Sequence, residues 1–468
     1  MCHAITRSQA AQTAWDATAV QTRAACLERA AEHLQEHSAH FIALISREGG
    51  RTLQDAMNEV REAIDFCRYY AVQAREHLAH PVELTGATGE VNLLSQHGRG
   101  AFVCISPWNF PLAIFIGQVA AALVTGNAVI AKPAEQTPLI AAAALDLLHQ
   151  SGIPSDILQL LPGGGDIGAA LVADPRIDGV AFTGSTETAR QIALSLAQRG
   201  SANRPVPIAP LIAETGGINV MIADSSTLPE QLVRDVITSA FNSAGQRCSA
   251  LRVLFVQTDI ADKVMDLLAG AMQMLNIGDP GRAATDIGPL IDPAAHSTLS
   301  QHIAHLETCA RLIYRCELPP TCSNGHFFAP QVWEIEHLDQ LHGEVFGPVL
   351  HIIRWSADKL DRILSDINAS NYGLTLGIHS RINNTIDHIK NAVRIGNIYV
   401  NRNMIGAVVG VQPFGGERLS GTGPKAGGPH YLQRFTTERC LTINTTAAGG
   451  NTRLMTVPTH FSATEANS

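Results

Sequence analysis

The sequence predicts an α/β protein built from two open, doubly wound parallel sheets that face a common cleft. Strand and helix signals alternate along most of the chain. The strands are continuous apolar runs, as expected where helices cover both faces of a parallel sheet. The alternation breaks at Glu214-Thr215-Gly216-Gly217 and then restarts. Paired glycines let the backbone turn sharply, so this is the expected crossing between domains. Composition fits: 468 residues, 46% hydrophobic and 16% charged, suffice for a large core without a metal or disulfide staple.

Ala24–Ile45 and Leu53–His77 repeat apolar residues at helical spacing without internal proline, so both are expected helices. Extended stretches follow around Val91–Ser95 and Gly100–Ile105. Phe110–Ala131 is nearly long enough to span a bilayer, but Pro111, Gln118, Thr125, Gly126 and Asn127 interrupt it. It divides into a helix over Pro111–Val124, a Gly-Asn turn and a buried strand over 127–131, so no membrane insertion is expected. Strands are expected at 157–161, 179–182 and 210–214, with helices from Thr137, Ile167 and Thr186. Beyond the crossing, 218–223 and 251–256 read as strands, and Pro229–Asn242 and Ile260–Met274 as helices. The polar, Gly/Thr/Ser-rich end predicts a mobile tail over 448–468.

Charge and cysteine usage exclude several classes. With 33 basic and 42 acidic residues the net charge is −9, and no basic run marks a nucleic-acid partner. Nine cysteines without a CxxC pair predict reduced thiols, a cytoplasmic setting and no structural zinc; Cys309, Cys316 and Cys322 cluster only loosely. His33, His37 and His40 fall on one helical face and could in principle bind a metal. Without a carboxylate or thiol to complete a site, they are expected to be solvated, with no metal. The start, MCHAITRSQAAQ, lacks a basic stretch followed by an apolar core, so no signal peptide is expected.

Several residues are candidates for chemistry. Gly163–Gly168 fits GxGxxG between a strand and a helix, a setting for phosphate at a helix N-terminus or simply for tight packing. Ser185, after Phe182-Thr183-Gly184, can cap the next helix with help from Glu187. Cys248 lies in the loop Gly245-Gln246-Arg247-Cys248-Ser249-Ala250, open to a substrate, with Arg247 placed to favour the thiolate; the bland reading is an inert half-buried thiol. Glu214 ends an apolar strand and either caps the Gly-Gly turn or acts as a general base. Asn109 is either a turn residue or an oxyanion donor.

Taken together, PWNFP, KPAEQTP, FTGST, ETGG, GQRC, EVFGP and PFGG stand in the order found in the aldehyde dehydrogenase superfamily. The resemblance runs from Trp15 to Thr446. Within the superfamily, EAIDFCRYYA, ISPWNFPLAIF, SAGQRCSALRV and LSGTGPKAGGP are similar to the pyrroline-5-carboxylate (glutamate-semialdehyde) dehydrogenase domains of bifunctional proline-utilization enzymes. The resemblance implies an aldehyde dehydrogenase fold: a Rossmann-like NAD-binding domain over 1–213 interrupted by a flap hairpin at 81–98, and a catalytic domain over 214–415. It further implies a return to the first domain over 416–432 and an oligomerisation strand over 433–447. Cys248 is then the nucleophile, Glu214 the base that activates water, and Asn109 the oxyanion donor. Trp108, Lys132, Glu135, Gly165, Ser185, Glu344 and Phe346 are implied contacts of NAD. Phe110, Ser249, Gly406, Ala407 and Phe414 are implied to hold glutamate semialdehyde. A homo-oligomer through the β-flap and a proline dehydrogenase domain or partner are also implied.

Three departures from the family pattern stand out. The Gly163–Gly168 turn is one residue shorter than usual, Arg418 replaces a common Gly, and only fourteen residues precede Trp15. The last predicts a chain truncated at its start. The alternatives are another semialdehyde such as succinic semialdehyde, or a silent fragment serving as a scaffold. A thiol protease is disfavoured, because no His stands in a recognisable partnering motif with Cys248.

Overall fold

In the computed structural model the described residues are 1–86, 89–200 and 205–445. The tail expected over 448–468 lies outside them. Four helices open the chain: α1 (Cys2–Asp16), α2 (Val20–Glu36), α3 (Ser38–Gly49) and α4 (Leu53–Leu78). The single helix expected over Ala24–Ile45 is broken at His37, whose φ of −98° and ψ of 17° leave the helical region. His33, His37 and His40 therefore share no face: His33 meets Ser151 Oγ at 3.1 Å, while His37 turns back to the His33 carbonyl at 2.9 Å.

After β1 (Val82–Leu84) and β2 (Glu90–Gly98), the first parallel sheet is wound from alternating elements. These are β3 (Ala101–Ile105), α5 (Ala113–Val124), β4 (Ala128–Lys132), α6 (Pro138–Gln150), β5 (Leu158–Leu160), α7 (Gly165–Ala173), β6 (Gly179–Gly184), α8 (Thr186–Ala197) and β7 (Leu211–Thr215). Its order is β5-β4-β3-β6-β7. Phe102 and Cys104 of β3 pack with α2 to α6, whereas Ala101 and Val103 pack with α1, α7 and α8. Burial on both faces explains why its strands read as unbroken apolar runs. The order reverses between β3 and β6, the switch point where such sheets open a crevice beyond their strand ends.

The second sheet uses β8 (Val220–Ala223), α9 (Pro229–Phe241), β9 (Val253–Gln257), α10 (Thr258–Met272), α11 (Pro293–Cys309), β10 (Arg311–Arg315), β11 (Gln331–Glu334), β12 (Val349–Trp355), α12 (Leu360–Ala369), β13 (Thr375–His379), α13 (Asn383–Ala392) and β14 (Asn397–Val400). Its order is β10-β11-β12-β9-β8-β13-β14, with only β10 antiparallel. β7 and β8 thus sit in different sheets, and the chain crosses at Thr215–Asn219. The C-terminal edge of the first sheet meets the N-terminal edge of the second. Loops from both edges line the cleft.

The chain then returns to its first half. Thr422 N–H bonds the Ala213 carbonyl at 3.0 Å, Tyr431 stacks on Tyr70 at 5.8 Å, and Phe435 packs on Phe102 at 5.1 Å. The last strand, β15 (Thr436–Asn444), pairs antiparallel with β2 along its length, giving the sheet β1-β2-β15. No helix among the described residues is long and apolar enough to cross a membrane.

Candidate active site

The loop before β9 carries Cys248 and is held from several sides. Ser243 and Ala244 adopt φ of 55° and 53°, left-handed values that cost about 1–3 kcal/mol each in side-chain-bearing residues. Gly245 follows at φ 65°, and a Cβ there would lie 2.1 Å from the Gly347 carbonyl oxygen, so no larger residue fits. Buried Asp55, from α4, fastens this stretch: its carboxylate accepts Ser243 Oγ–H at 2.7 Å and Arg247 Nη2–H at 2.8 Å. Asn219 Nδ2 donates to the Cys248 and Ala250 carbonyls at 2.6 and 2.9 Å. Asn109 Nδ2 donates to the Gln246 carbonyl at 3.1 Å, which joins the loop after β3 to the cysteine loop. Asn109 is therefore more than a turn residue. Its amide is fixed two residues from the thiol with a second N–H to spare.

Arg247 favours the Cys248 thiolate, as the sequence suggested, but only weakly. Its guanidinium is engaged by Asp55 and by Ser243 Oγ at 3.1 Å. Burial, then the carboxylates of Glu344, Glu214 and Glu62, push the Cys248 thiol up to about 12, with Arg247 opposing only weakly. The thiol rests protonated at neutral pH.

Glu214 ends β7 facing the same cavity. Oε2 accepts the Gly416 N–H at 3.1 Å, while buried Oε1 has no hydrogen-bond partner. Burial pushes its carboxyl up to about 8, with the Gly416 bond and Lys425 opposing. The Gly-Gly turn finds its acceptor elsewhere, since Gly217 N–H bonds Glu344. Capping of that turn is thus excluded for Glu214, and a base poised near neutrality is what the geometry offers.

One cleft joins these groups. Cys248, Glu214 and Ser249 line it together with Gly406, Ala407, Phe110 and Phe414. Phe110 lies under two cations, Arg51 at 4.2 Å and Arg247 at 5.2 Å from its ring centre.

The remaining candidates stand apart, mostly on the first sheet's strand ends. Lys132 is buried at the end of β4, with Nζ 3.6 Å from the carboxylate of exposed Glu135. A Cβ on Gly168 would touch the Lys132 stem at 3.6 Å, so α7 packs directly over it. Gly165 begins α7 facing open space, where a Cβ would meet nothing within 4 Å. Ser185 caps α8 by accepting Thr188 N–H at 3.1 Å; Glu187 contacts Gln191 instead of assisting. Trp108 and Phe346 meet edge to face at 5.6 Å across the cleft. Glu344 accepts Arg252 Nη2–H at 3.1 Å.

Four residues escaped the sequence reading. Asp55, Glu59 and Glu62 follow one another at helical spacing on α4, a row of acids beside an apolar stripe that could have flagged a buried network. Glu62 lines the cleft, where burial and then neighbouring Glu59 push it up to about 7. Arg252, at the start of an apolar strand, gave no local signal.

Two parallel sheets facing one cleft, with a thiol from one and a buried carboxylate from the other, define a class of two-domain α/β proteins with a cysteine–carboxylate site at the domain crossing. The chain belongs to the aldehyde dehydrogenase family, whose sequence model matches residues 1–441. It is 50% identical over 432 residues to the bifunctional protein PutA of Klebsiella aerogenes, covering 91% of this chain and 32% of that one. The chain thus spans about a third of that relative's length. A crystal structure of a Bradyrhizobium japonicum proline utilization A variant superposes with a TM-score of 0.93 at 57% identity, covering 96% of this chain and 45% of that one. A Thermus 1-pyrroline-5-carboxylate dehydrogenase with bound NAD superposes with a TM-score of 0.89 at 31% identity, covering 94% and 85%.

Proposed function

We propose that the chain oxidises L-glutamate γ-semialdehyde, the open form of pyrroline-5-carboxylate, to L-glutamate with NAD. The observation that carries this reading is the shared cavity of Cys248, Glu214, Ser249, Gly406, Ala407, Phe110 and Phe414. Ser249 and the backbone N–H groups at Gly406 and Ala407 suit a carboxylate, the two phenyl rings an aliphatic stem, and Glu62 an ammonium. In this reading Cys248 loses its proton to water and its sulfur bonds the aldehyde carbon, while the carbonyl π electrons move onto the oxygen. The oxyanion is held by Asn109 Nδ2–H and the Cys248 N–H. NAD, when bound, supplies the hydride acceptor. The acyl group remains on Cys248 as a thioester, and Glu214 takes a proton from the water that releases glutamate and restores the thiol.

The residues present fit the cofactor. The Lys132–Glu135 pair can donate to and accept from a ribose diol, Gly165 leaves the start of α7 open for a pyrophosphate with the Ser185 hydroxyl at the start of α8, and Glu344 with Phe346 meets the nicotinamide end. We further assign dimerisation to the sheet β1-β2-β15, whose outer strands β1 and β15 are largely exposed among the described residues, in a cytoplasmic enzyme. The PutA relatives are described as bifunctional, which supports a proline dehydrogenase domain or partner for this chain.

The test is incubation of the purified chain with pyrroline-5-carboxylate and NAD. NADH and glutamate should form in equal amounts. Cys248→Ala should lower turnover by at least about 10³-fold while calorimetry shows NAD affinity within a few-fold. Retained turnover in the variant, or faster turnover of succinic semialdehyde in the unaltered chain, would refute the assignment.

A further inference from the structure

We propose that Arg252 is a positioning residue that couples the two sides of the cleft: it ties the Glu344–Gly347 segment to the Cys248 loop, so that nucleotide bound at Glu344 sets the reactivity of the thiol. This rests on the reading of Glu344 as a cofactor contact. Arg252 is fully buried, and one guanidinium plane serves both segments. Nη1 donates to the Gly245 carbonyl at 2.7 Å and to Gly347 at 3.4 Å; Nη2 donates to the Arg247 carbonyl at 2.9 Å and to Glu344 Oε1 at 3.1 Å. The same guanidinium lies 5.2 Å from the centre of the Phe346 ring. Two of its acceptors lie one and three residues before the thiol, and the other two bracket the ring expected beside the nicotinamide.

The link has little freedom to yield. Arg252 N–H bonds the Asn219 carbonyl at 2.9 Å, and its own carbonyl accepts both the N–H and the Nδ1–H of buried His351, at 3.0 and 2.9 Å. His351 Nε2 in turn meets His302 Nε2 at 2.9 Å. On the far side, Glu344 Oε2 occupies the space that a Cβ on Gly216 would fill, and the Gly217 N–H bonds the carboxylate and holds it there. A ribose hydroxyl that draws Glu344 therefore pulls on the carbonyls at 245 and 247 through a rigid fork. A lysine keeps the charge but lacks the planar set of donors that reaches all four acceptors.

The experiment measures alkylation of Cys248 by iodoacetamide, followed by peptide mass, with and without saturating NAD, and NAD affinity by calorimetry. In the unaltered chain NAD should change the alkylation rate at least about fivefold. In Arg252→Lys this factor should fall below about twofold with NAD still saturating. Glu344→Ala, made at the half-buried end of the link, should abolish the factor alone, and adding Arg252→Lys should change it no further. An undiminished factor in Arg252→Lys, independent effects in the double variant, or a factor near one in an unaltered chain that binds NAD would overturn the proposal. An unaltered chain that binds no NAD would overturn the cofactor reading and this inference with it, and calorimetry tells that case apart.

Discussion

Around the loop that carries Cys248 the charged groups are sealed from water, whereas at the Lys132–Glu135 pair the carboxylate reaches into it. Asp55 is 1% and Arg252 0% exposed, while the Glu135 side chain remains 56% exposed. The pairs Arg247–Asp55 and Lys132–Glu135 are both written as ion pairs, yet they do different work. The buried pair holds a left-handed turn in place and sets where the thiol stands. The exposed pair leaves a carboxylate free to meet a ligand. Burial, more than residue type, decides whether a charge shapes the fold or reads a substrate.

The largest effect expected is therefore on stability at the sealed end. Asp55→Ala leaves Arg247 buried without its partner and frees Ser243 from its acceptor. Loss of one member of a buried pair costs about 3–5 kcal/mol, to be read from urea unfolding. Glu135→Ala at the open end should cost no more than about 1 kcal/mol. Equal losses would erase the contrast between the two regions.

Next in size is the chemistry of Glu214. Glu214→Gln should leave a pre-steady-state burst of NADH and slow the steady rate by about 10²–10³-fold, because in the proposed mechanism hydrolysis of the thioester needs the base and hydride transfer does not. Equal slowing of both phases would give Glu214 a structural role. Its burial also predicts two pH effects. Turnover should rise with pH as the carboxyl ionises near 8. Stability should move the other way. The folded carboxyl keeps a proton that the unfolded chain releases above about 4.5, so its contribution is fullest below that pH and is lost as pH climbs toward 8. Glu214→Gln should flatten that decline in unfolding experiments across the same window.

Most of the first sheet was legible because its strands are apolar on both faces and its turns carry Gly, Ser and Pro. Glu214 was legible as a carboxylate ending an apolar strand, Cys248 as a thiol on a loop between Gly and Ser, and Asn109 as a polar residue after Pro107-Trp108. What the sequence hid were relations between distant segments. Asp55 lies 192 residues from Arg247, so nothing local showed that Arg247 was engaged away from the thiol. The break at His37 was hidden for a different reason: apolar spacing continues across it while the backbone leaves the helix. Glu344 also took the Gly217 N–H that local reading offered to Glu214.

The smallest effect tests the open end by itself. In Lys132-Pro133-Ala134-Glu135 the ammonium donates and the carboxylate accepts, a combination suited to a ribose diol. A 2′-phosphate would bring two negative charges close to Glu135. At about 4 Å and an effective dielectric near ~20, each like-charge contact costs on the order of 4 kcal/mol before screening. Water reaches Glu135 freely, and buried Lys132 would attract the phosphate, so most of that cost is removed. A preference for NAD over NADP of about one order of magnitude in kcat/KM, roughly 1.4 kcal/mol, is what survives. Glu135→Ser should bring the two cofactors within about threefold of each other without altering the Cys248 alkylation rate, because the open end touches affinity and not the thiol. Equal use of NADP by the unaltered chain would place Glu135 away from the ribose. A changed alkylation rate in Glu135→Ser would show that the exposed pair, too, reaches the nucleophile.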